Sequence, residues 1–502
     1  MRKLVIDGSN TSGFQRTALV ALSGALPDGC RIETLCLEEE AAQRIEDETF
    51  SLDRLGIPLI EITTAPCMHT PEAVQEVAAH IGMVLRSTGR VKRGLGTIRQ
   101  DINVSIADGA RVEIKGVQDL DLIAEVVRRE VERQVNLLAI RDALRARGAR
   151  VDHTVIDVTA LFAGTASSIL KKAKSILAVR LCGFAGLVGQ EIQPGRRLGS
   201  EMSDYAKKCG VGGIFHTDEL PAYGVTAEEV AHLREFVGAA EEDCVVIVAA
   251  GRERAGCAAE QVMIRAEMAL SGVPEETRKM LEEGSTAYMR PLPGAARMYP
   301  ETDVFEVTID EALWESIKVP ELLTGRAERF VREFGLDEGL ARQVAFSERL
   351  ALFEKAVAAG VRPTLAARTL LATCRELARD GVDVTRVSEE EILALLAAVE
   401  AGRAAKEAIP DHLTELARTA GGAGTPEERV DAAIEKMGPA VSQADVEAIV
   451  RRIVAEREAF AREKGMGALG PLMGVVMQEL RGSVDGKVIS ETLRRELKRL
   501  LS

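Results

Sequence analysis

The sequence predicts an α+β, multidomain protein: a mixed or antiparallel-sheet cradle carrying an inserted α+β unit, followed by all-α helical domains. Three observations carry this reading. In the first two hundred residues, short segments rich in valine, isoleucine and threonine alternate with glycine-containing turns. From about Arg197 to Ser285 the pattern becomes a compact mixture of helices and strands, after which a proline- and glycine-rich segment returns to strand-like sequence. Beyond roughly residue 322 almost every segment has apolar residues at helical spacing, closed by glycine or proline. At 502 residues the chain has room for roughly three or four domains.

Taken in order, RKLVIDG, GIPLIEITT, QDINVSIADGARVEIKG and VDHTVIDVTALF read as strands. Within the third, INVSI and ARVEI flank Asp108-Gly109, which supplies a hairpin turn. LDLIAEVVRREVERQVNLLAIRDALRARG has a helical apolar stripe and stops at Gly148. EMSDYAKKCG is helical, GGIFHTDELP is a strand and turn, and CVVIVAAG is a buried strand. VTAEEVAHLREFVGA is a helix opened by Thr226 as N-cap, with Glu229 three residues on. The expected boundaries are a cradle at 1–196, an insertion at 197–285, a return to the cradle at 286–321, a helical domain at 322–418 and a helical tail at 419–502. TAGGAGTPEE, at 419–428, reads as the linker before the tail.

The net charge of −14 argues against a general DNA binder, but it averages over basic stretches. Residues 84–99 hold Arg86, Arg90, Lys92, Arg93 and Arg99 with no acid, and similar excesses occur at 165–200 and 481–502. Each reads as a solvated face or, taken together, as contacts to one polyanion. With 12 Phe, 4 Tyr and 1 Trp, stacking of bases on rings has few candidates, so shape and phosphate contacts would dominate. No apolar run is long enough to span a membrane, and the start lacks a secretory signal. The eight cysteines lack CxxC or zinc-ribbon spacing and read as reduced thiols of a cytoplasmic protein.

Walker A, GxGxxG, HExxH and GxSxG patterns are absent. DGSNTSGF at 7–14 is a polar turn that either presents amides and hydroxyls to phosphate or simply reverses the chain. Glu38-Glu39-Glu40 reads as a charged helix start. Glu61 sits inside an otherwise apolar strand, where a carboxylate loses solvation unless a cation or metal compensates it. Alternation puts Arg99, Asp101 and Asn103 on one face, with Glu113 and Lys115 across the turn: a charged cleft lining or a plain solvated face.

Several of these segments match a known family. GIPLIEITTAP with TPEAVQEVAAHIGMVLRSTG, then R-x-D-x-N-V-S-I and VEIKGVQDL, resembles the B/E subunit family of tRNA-dependent amidotransferases. DGSNTSGFQRT and MRPLPGAARMYPETD look like its archaeal E branch. GGIFHTDELPAYGVT is similar to the insertion domain of bacterial-type aspartyl-tRNA synthetase, and GPLMGVVMQELRGSVDGKVISETLRREL looks like the family's YqeY-type tail. The resemblance implies that glutamyl-tRNA(Gln) is activated by ATP as a γ-glutamyl phosphate and converted to glutaminyl-tRNA(Gln) by channelled ammonia. It implies ATP and Mg²⁺, with Glu39 and Glu61 as metal ligands. Arg99, Asp101, Asn103, Glu113 and Lys115 would line the active site, closed by Arg297, Tyr299 and Glu301, while Asp7, Ser9, Ser12 and Gln15 would face the nucleotide. Arg494, Arg495, Lys498 and Arg499 are the candidates for tRNA contact. An asparaginase-like D subunit is the implied partner, in a heterodimer or heterotetramer. Family members also carry a strand with an L-E-I-H motif that is missing here, so the cradle reads as N-terminally incomplete. That leaves an alternative, a non-catalytic tRNA-binding or assembly protein.

Overall fold

The computed structural model describes residues 1–4, 12–27, 29–46, 49–94, 96–292, 298–436, 443–480 and 486–501. They form two compact units: Met1–Leu85 with Gly89–Lys318, and Arg86–Thr88 with Val319–Ser502. The strands are β1 (Arg2–Leu4), β2 (Phe14–Ala25), β3 (Arg31–Glu39), β4 (Gln43–Glu46), β5 (Thr49–Ser51), β6 (Pro58–Thr64), β7 (Ile102–Val104), β8 (Val112–Lys115), β9 (Arg150–Asp157), β10 (Ser175–Cys182), β11 (Glu191–Gln193), β12 (Arg196–Arg197), β13 (Phe215–His216), β14 (Cys244–Ala250), β15 (Glu276–Met280), β16 (Thr286–Pro291) and β17 (Met298–Tyr299). The helices of the first unit are α1 (Pro71–Ser87), α2 (Leu120–Ala146), α3 (Leu198–Lys207), α4 (Ala227–Phe236), α5 (Arg252–Ser271) and α6 (Glu311–Ser316).

One sheet has the order β17-β1-β2-β3-β6, with all its neighbours antiparallel. A second, β16-β15-β8-β7, contains the expected hairpin: Val104 pairs with Val112, and Asp108 takes the left-handed conformation at φ 62°. Gly109 is required for a different reason, since a Cβ there would stand 2.3 Å from Gln134 Oε1. Ile102, Val104, Val112 and Ile114 face Ile123, Val126 and Val127 of α2, so the alternate positions of the hairpin face outward. With 27 residues, α2 is about 40 Å long and serves two cores. Its second half, through Leu137, Ile140 and Leu144, packs against α5 and β11 in the core that covers one face of the sheet β13-β14-β10-β9.

That third sheet corrects the expected boundaries. β9 and β10, assigned from sequence to the cradle, join β14 in one sheet, β10 pairing with β14 and β9 with β10, whereas β15, assigned to the insertion, pairs in parallel with β8. The inserted unit therefore runs from about Arg150 to Gly272 and not from 197 to 285. It is three layers deep. Leu177, Val179, Leu181, Val246 and Val248 face α3 and α5, while Ile176, Ala178, Val245 and Ile247 face Phe162, Phe215 and Leu233.

The second unit contains α7 (Leu323–Phe334), α8 (Glu338–Phe346), α9 (Leu350–Ala358), α10 (Pro363–Arg368), α11 (Cys374–Arg379), α12 (Glu389–Glu400), α13 (Ile409–Arg418), α14 (Pro426–Lys436), α15 (Gln443–Glu456), α16 (Glu458–Lys464), α17 (Leu469–Glu479) and α18 (Gly486–Leu501). Val430 and Ala433 place α14 in the same core as α12 and α13, and Arg429 donates to the Thr419 carbonyl at 3.0 Å. The glycine-rich stretch after α13 is thus a turn within the helical domain and not the linker before the tail. A separate core, with Val450, Leu472, Val476, Leu493 and Leu497, joins α15, α17 and α18.

The expectation of eight reduced thiols is also corrected. Cys30–Cys67 and Cys209–Cys257 are disulfides, with Cα atoms 5.5 and 5.9 Å apart, while Cys36, Cys182, Cys244 and Cys374 are buried thiols. The paired residues are 37 and 48 positions apart, so the fold and not a short motif brings them together. Among the described residues, no helix is long and apolar enough to cross a membrane.

Candidate active site

The site grows from the end of β3. The glutamate run does not start a helix: Glu38 and Glu39 end the strand, and β4 and β5 follow. Cys36 pairs with Glu61 across the ladder, and Glu38 lies two residues on from Cys36. Period-two alternation therefore puts Cys36, Glu38 and Glu61 on one face. Glu38 is 7% exposed and receives hydrogen bonds from Thr17 Oγ1 at 2.9 Å and Gln15 Nε2 at 3.2 Å. Burial, followed by the nearby Glu61 carboxylate, raises its pKa above the ordinary carboxylate range. Burial and Glu61 likewise raise the Cys36 thiol.

This arrangement revises the proposed metal pair. Glu39 turns to Arg16, 3.2 Å away, and the carboxylate beside Glu61 is Glu38. Glu61 itself is exposed because β6 is the sheet edge, so the expected loss of solvation falls on Glu38 instead. Two carboxylates on one face, one of them costly to ionise alone, are a hard-oxygen donor set that suits Mg²⁺.

Arginines gather on the opposite face of the sheet, the side of Glu39. Glu301 receives Arg2 at 3.0 Å and Arg16 at 3.1 Å, and the Arg2 bond is the main cause of its depression to about 2. Tyr299 pairs with Arg2 across β17 and β1, and its side chain hydrogen-bonds that guanidinium. Gln15 also donates to the Glu39 carbonyl at 3.1 Å. Ser12 lies in the turn entering β2. Asp7, Ser9 and Arg297 lie outside the described residues.

A second group occupies the outward face of β7 and β8. Asn103 pairs with Glu113, Lys115 contacts Asp101 and stands 3.4 Å from Glu113, and Thr277 donates to Glu113 at 2.8 Å. Arg99 contacts Glu40, which Arg54 also meets at 3.1 Å, so Glu40 ties the hairpin side to the end of β3. Residues 1–315 match the model of the GatB/GatE catalytic domain, and residues 351–497 match the model described as GatB domain. The chain belongs to the GatB/GatE family. A relative from Methanospirillum hungatei is 63% identical over 501 residues, covering 100% of this chain and 80% of the relative. One from Methanosarcina barkeri is 53% identical, with 99% and 80% covered, and one from Archaeoglobus fulgidus is 50% identical, with 100% and 81% covered. All three are named as the E subunit of glutamyl-tRNA(Gln) amidotransferase. The chain thus spans about four fifths of the length of each.

Within this GatB/GatE chain, sequence reasoning missed Thr17 and Glu40 as site residues and chose Glu39 over Glu38. Strand alternation would have found Glu38, since positions 36 and 38 share a face while 39 opposes it. Arg494, Arg495, Lys498 and Arg499 all lie exposed on α18, with Arg495 held by Glu447 at 2.6 Å. In the inserted unit, Lys172, Lys174, Arg252 and Arg254 line an open pocket where α5 begins.

Proposed function

We propose that this chain is the kinase and transamidase subunit of a cytoplasmic tRNA-dependent amidotransferase. The γ-carboxylate of misacylated glutamyl-tRNA(Gln) attacks the terminal phosphate of ATP, releasing ADP and forming an acyl phosphate. Ammonia from an asparaginase-like D subunit, in a heterodimer or heterotetramer, then attacks the acyl carbon. Phosphate leaves, and glutaminyl-tRNA(Gln) results. The observation that carries this reading is the Glu38 and Glu61 pair on one face of the sheet, with Lys3 on that same face lowering the cost of the Glu38 charge. Glu38 and Glu61 would hold Mg²⁺, which screens phosphate charge when bound. Thr17 and Gln15 orient Glu38, Lys3 is the cation on that face, and the outward Asn103, Glu113 and Lys115 face suits ammonia or the glutamyl amine.

The test is ATP cleavage stimulated by glutamyl-tRNA(Gln), measured with the D subunit present and ammonium as donor. Glu38→Gln and Glu61→Gln should each lower kcat by at least about a hundredfold, as expected for loss of metal-assisted charge stabilisation. Wild-type rates in both variants would overturn the assignment. A wild-type chain that binds the tRNA but never cleaves ATP would favour the non-catalytic reading.

A further inference from the structure

A second cluster of ligating side chains lies in the inserted unit, away from the candidate active site. The antiparallel ladder of β13 and β14 pairs His216 with Val246. Continued by two residues, the register sets Asp218 opposite Cys244, and alternation puts His216, Asp218 and Cys244 on one face. One ligand atom from each lies within 4.8 Å of the other two. His216 is 4% exposed and Cys244 0%, while Asp218 is half-buried and leaves a route to solvent.

The surroundings are arranged as around a bound ion. His216 Nε2 lies 3.8 Å from Glu219 Oε2, and its side of the ring packs so closely on Gly199 that a Cβ there would stand 2.6 Å away. Nδ1 is buried and makes no hydrogen bond, so it is the nitrogen free to ligate. A carboxylate close to one imidazole nitrogen, with the other nitrogen left for a cation, resembles the outer-shell arrangement of metal sites, and here Glu219 stands beyond hydrogen-bond distance. The Asp218 carboxylate is fixed by the Gly189 N–H at 3.0 Å, and Thr217 Oγ1 donates to Cys244 Sγ at 3.5 Å. Ligation displaces the proton of the Cys244 thiol.

We propose that His216, Asp218 and Cys244 form a binding site for a borderline-soft divalent cation of the Zn²⁺ class. It would pin the turn after β13 to the start of β14. Ligand atoms around tetrahedral Zn²⁺ stand about 3.5 Å apart, so the side chains need to close by about 1.3 Å at most. Thiolate with imidazole disfavours Mg²⁺ and Ca²⁺, which separates this site chemically from the oxygen pair on β3 and β6. Sequence spacing concealed it, because strand pairing and not a short motif brings Cys244 to the H-x-D segment.

The full-length chain, stripped with chelator, should bind one equivalent of Co²⁺ with a thiolate-to-cobalt absorption in the near ultraviolet. Zn²⁺ should displace the Co²⁺ and Mg²⁺ should not. Cys244→Ala should abolish the absorption, and Asp218→Asn, which keeps an acceptor for Gly189, should weaken Co²⁺ binding by at least about tenfold. Should Cys244→Ala not fold, Zn²⁺-dependent protection against thermal unfolding, present in the wild type and lost in Asp218→Asn, serves as the second readout. A folded wild-type chain without the absorption, a band that survives Cys244→Ala, or equal Zn²⁺ protection of wild type and Asp218→Asn would overturn the proposal.

Discussion

Glu301 and Glu38 show how carboxylates on the two sides of one sheet come to titrate in opposite directions. Arg2 holds Glu301 down to about 2, so its pairing contributes stability above the ordinary carboxylate range that is lost as the pH falls towards 2. Wild type should therefore unfold at a higher temperature than Glu301→Gln at neutral pH, with the gap narrowing through the acid range. A gap independent of pH, measured by thermal denaturation, would rule out the charge of Glu301 as its source. Glu38 is raised, so ionising it works against the fold at neutral pH, and a cation on that face offsets the cost. At this scale the sequence was partly legible. It marked Glu61 and the glutamate run as unusual acids but not which glutamate is buried, because that depends on strand register and on β6 lying at the edge. The outward face of Asp101, Asn103, Glu113 and Lys115 was readable because hairpin alternation is local.

Elements with one clean period were foreseen: α2 and its stop at Gly148, α4 with its Thr226–Glu229 capping box, and β14 as a buried run. β15 was not. Its sequence ETRKM carries three charged residues, and Glu276 and Arg278 are completely buried because side chains of other elements satisfy them. Strand-forming pattern cannot reveal a partner as far away in sequence as Arg133, 143 residues before Glu276. The same locality explains why β10 was assigned with the cradle, since nothing in SILAVRLC states which sheet it joins. α18 was legible as an amphipathic helix, with Leu493 and Leu497 inward and Arg494 and Lys498 outward. Reversing Arg494, Arg495, Lys498 and Arg499 to glutamate should raise the KM for glutamyl-tRNA(Gln) by at least about tenfold while sparing association with the D subunit. Because Arg495 already pairs with Glu447, a double reversal of Arg494 and Lys498 is the cleaner control. An unchanged KM in both variants would remove α18 from the tRNA-binding surface.

Across the whole first unit, the domain order was readable but the seams were not, because α2 runs through two cores and β15 returns beside β8. A buried charge network spans that seam. Arg133 of α2 meets Glu130 at 2.9 Å and Glu276 of β15 at 2.7 Å, Arg278 of β15 meets Glu201 of α3 at 3.0 Å, and Arg265 of α5 donates to Glu201 at 3.1 Å. All six side chains are completely buried, so removing one partner strands the charge of another. Arg133→Met should cost about 3–5 kcal/mol in chemical denaturation, well beyond an exposed substitution such as Arg332→Met. A loss of less than about 1 kcal/mol would refute this role. The inserted unit contributes Glu201 and Arg265, one charge of each sign, whereas the cradle side contributes Arg133 and Arg278 with Glu130 and Glu276. Its entry and exit also meet, since Arg145 near the end of α2 donates to the Leu270 carbonyl at 3.3 Å. The unit is thus a cassette electrically neutral at its socket: a lineage gaining or losing it would leave the host core balanced, with two charges of each sign.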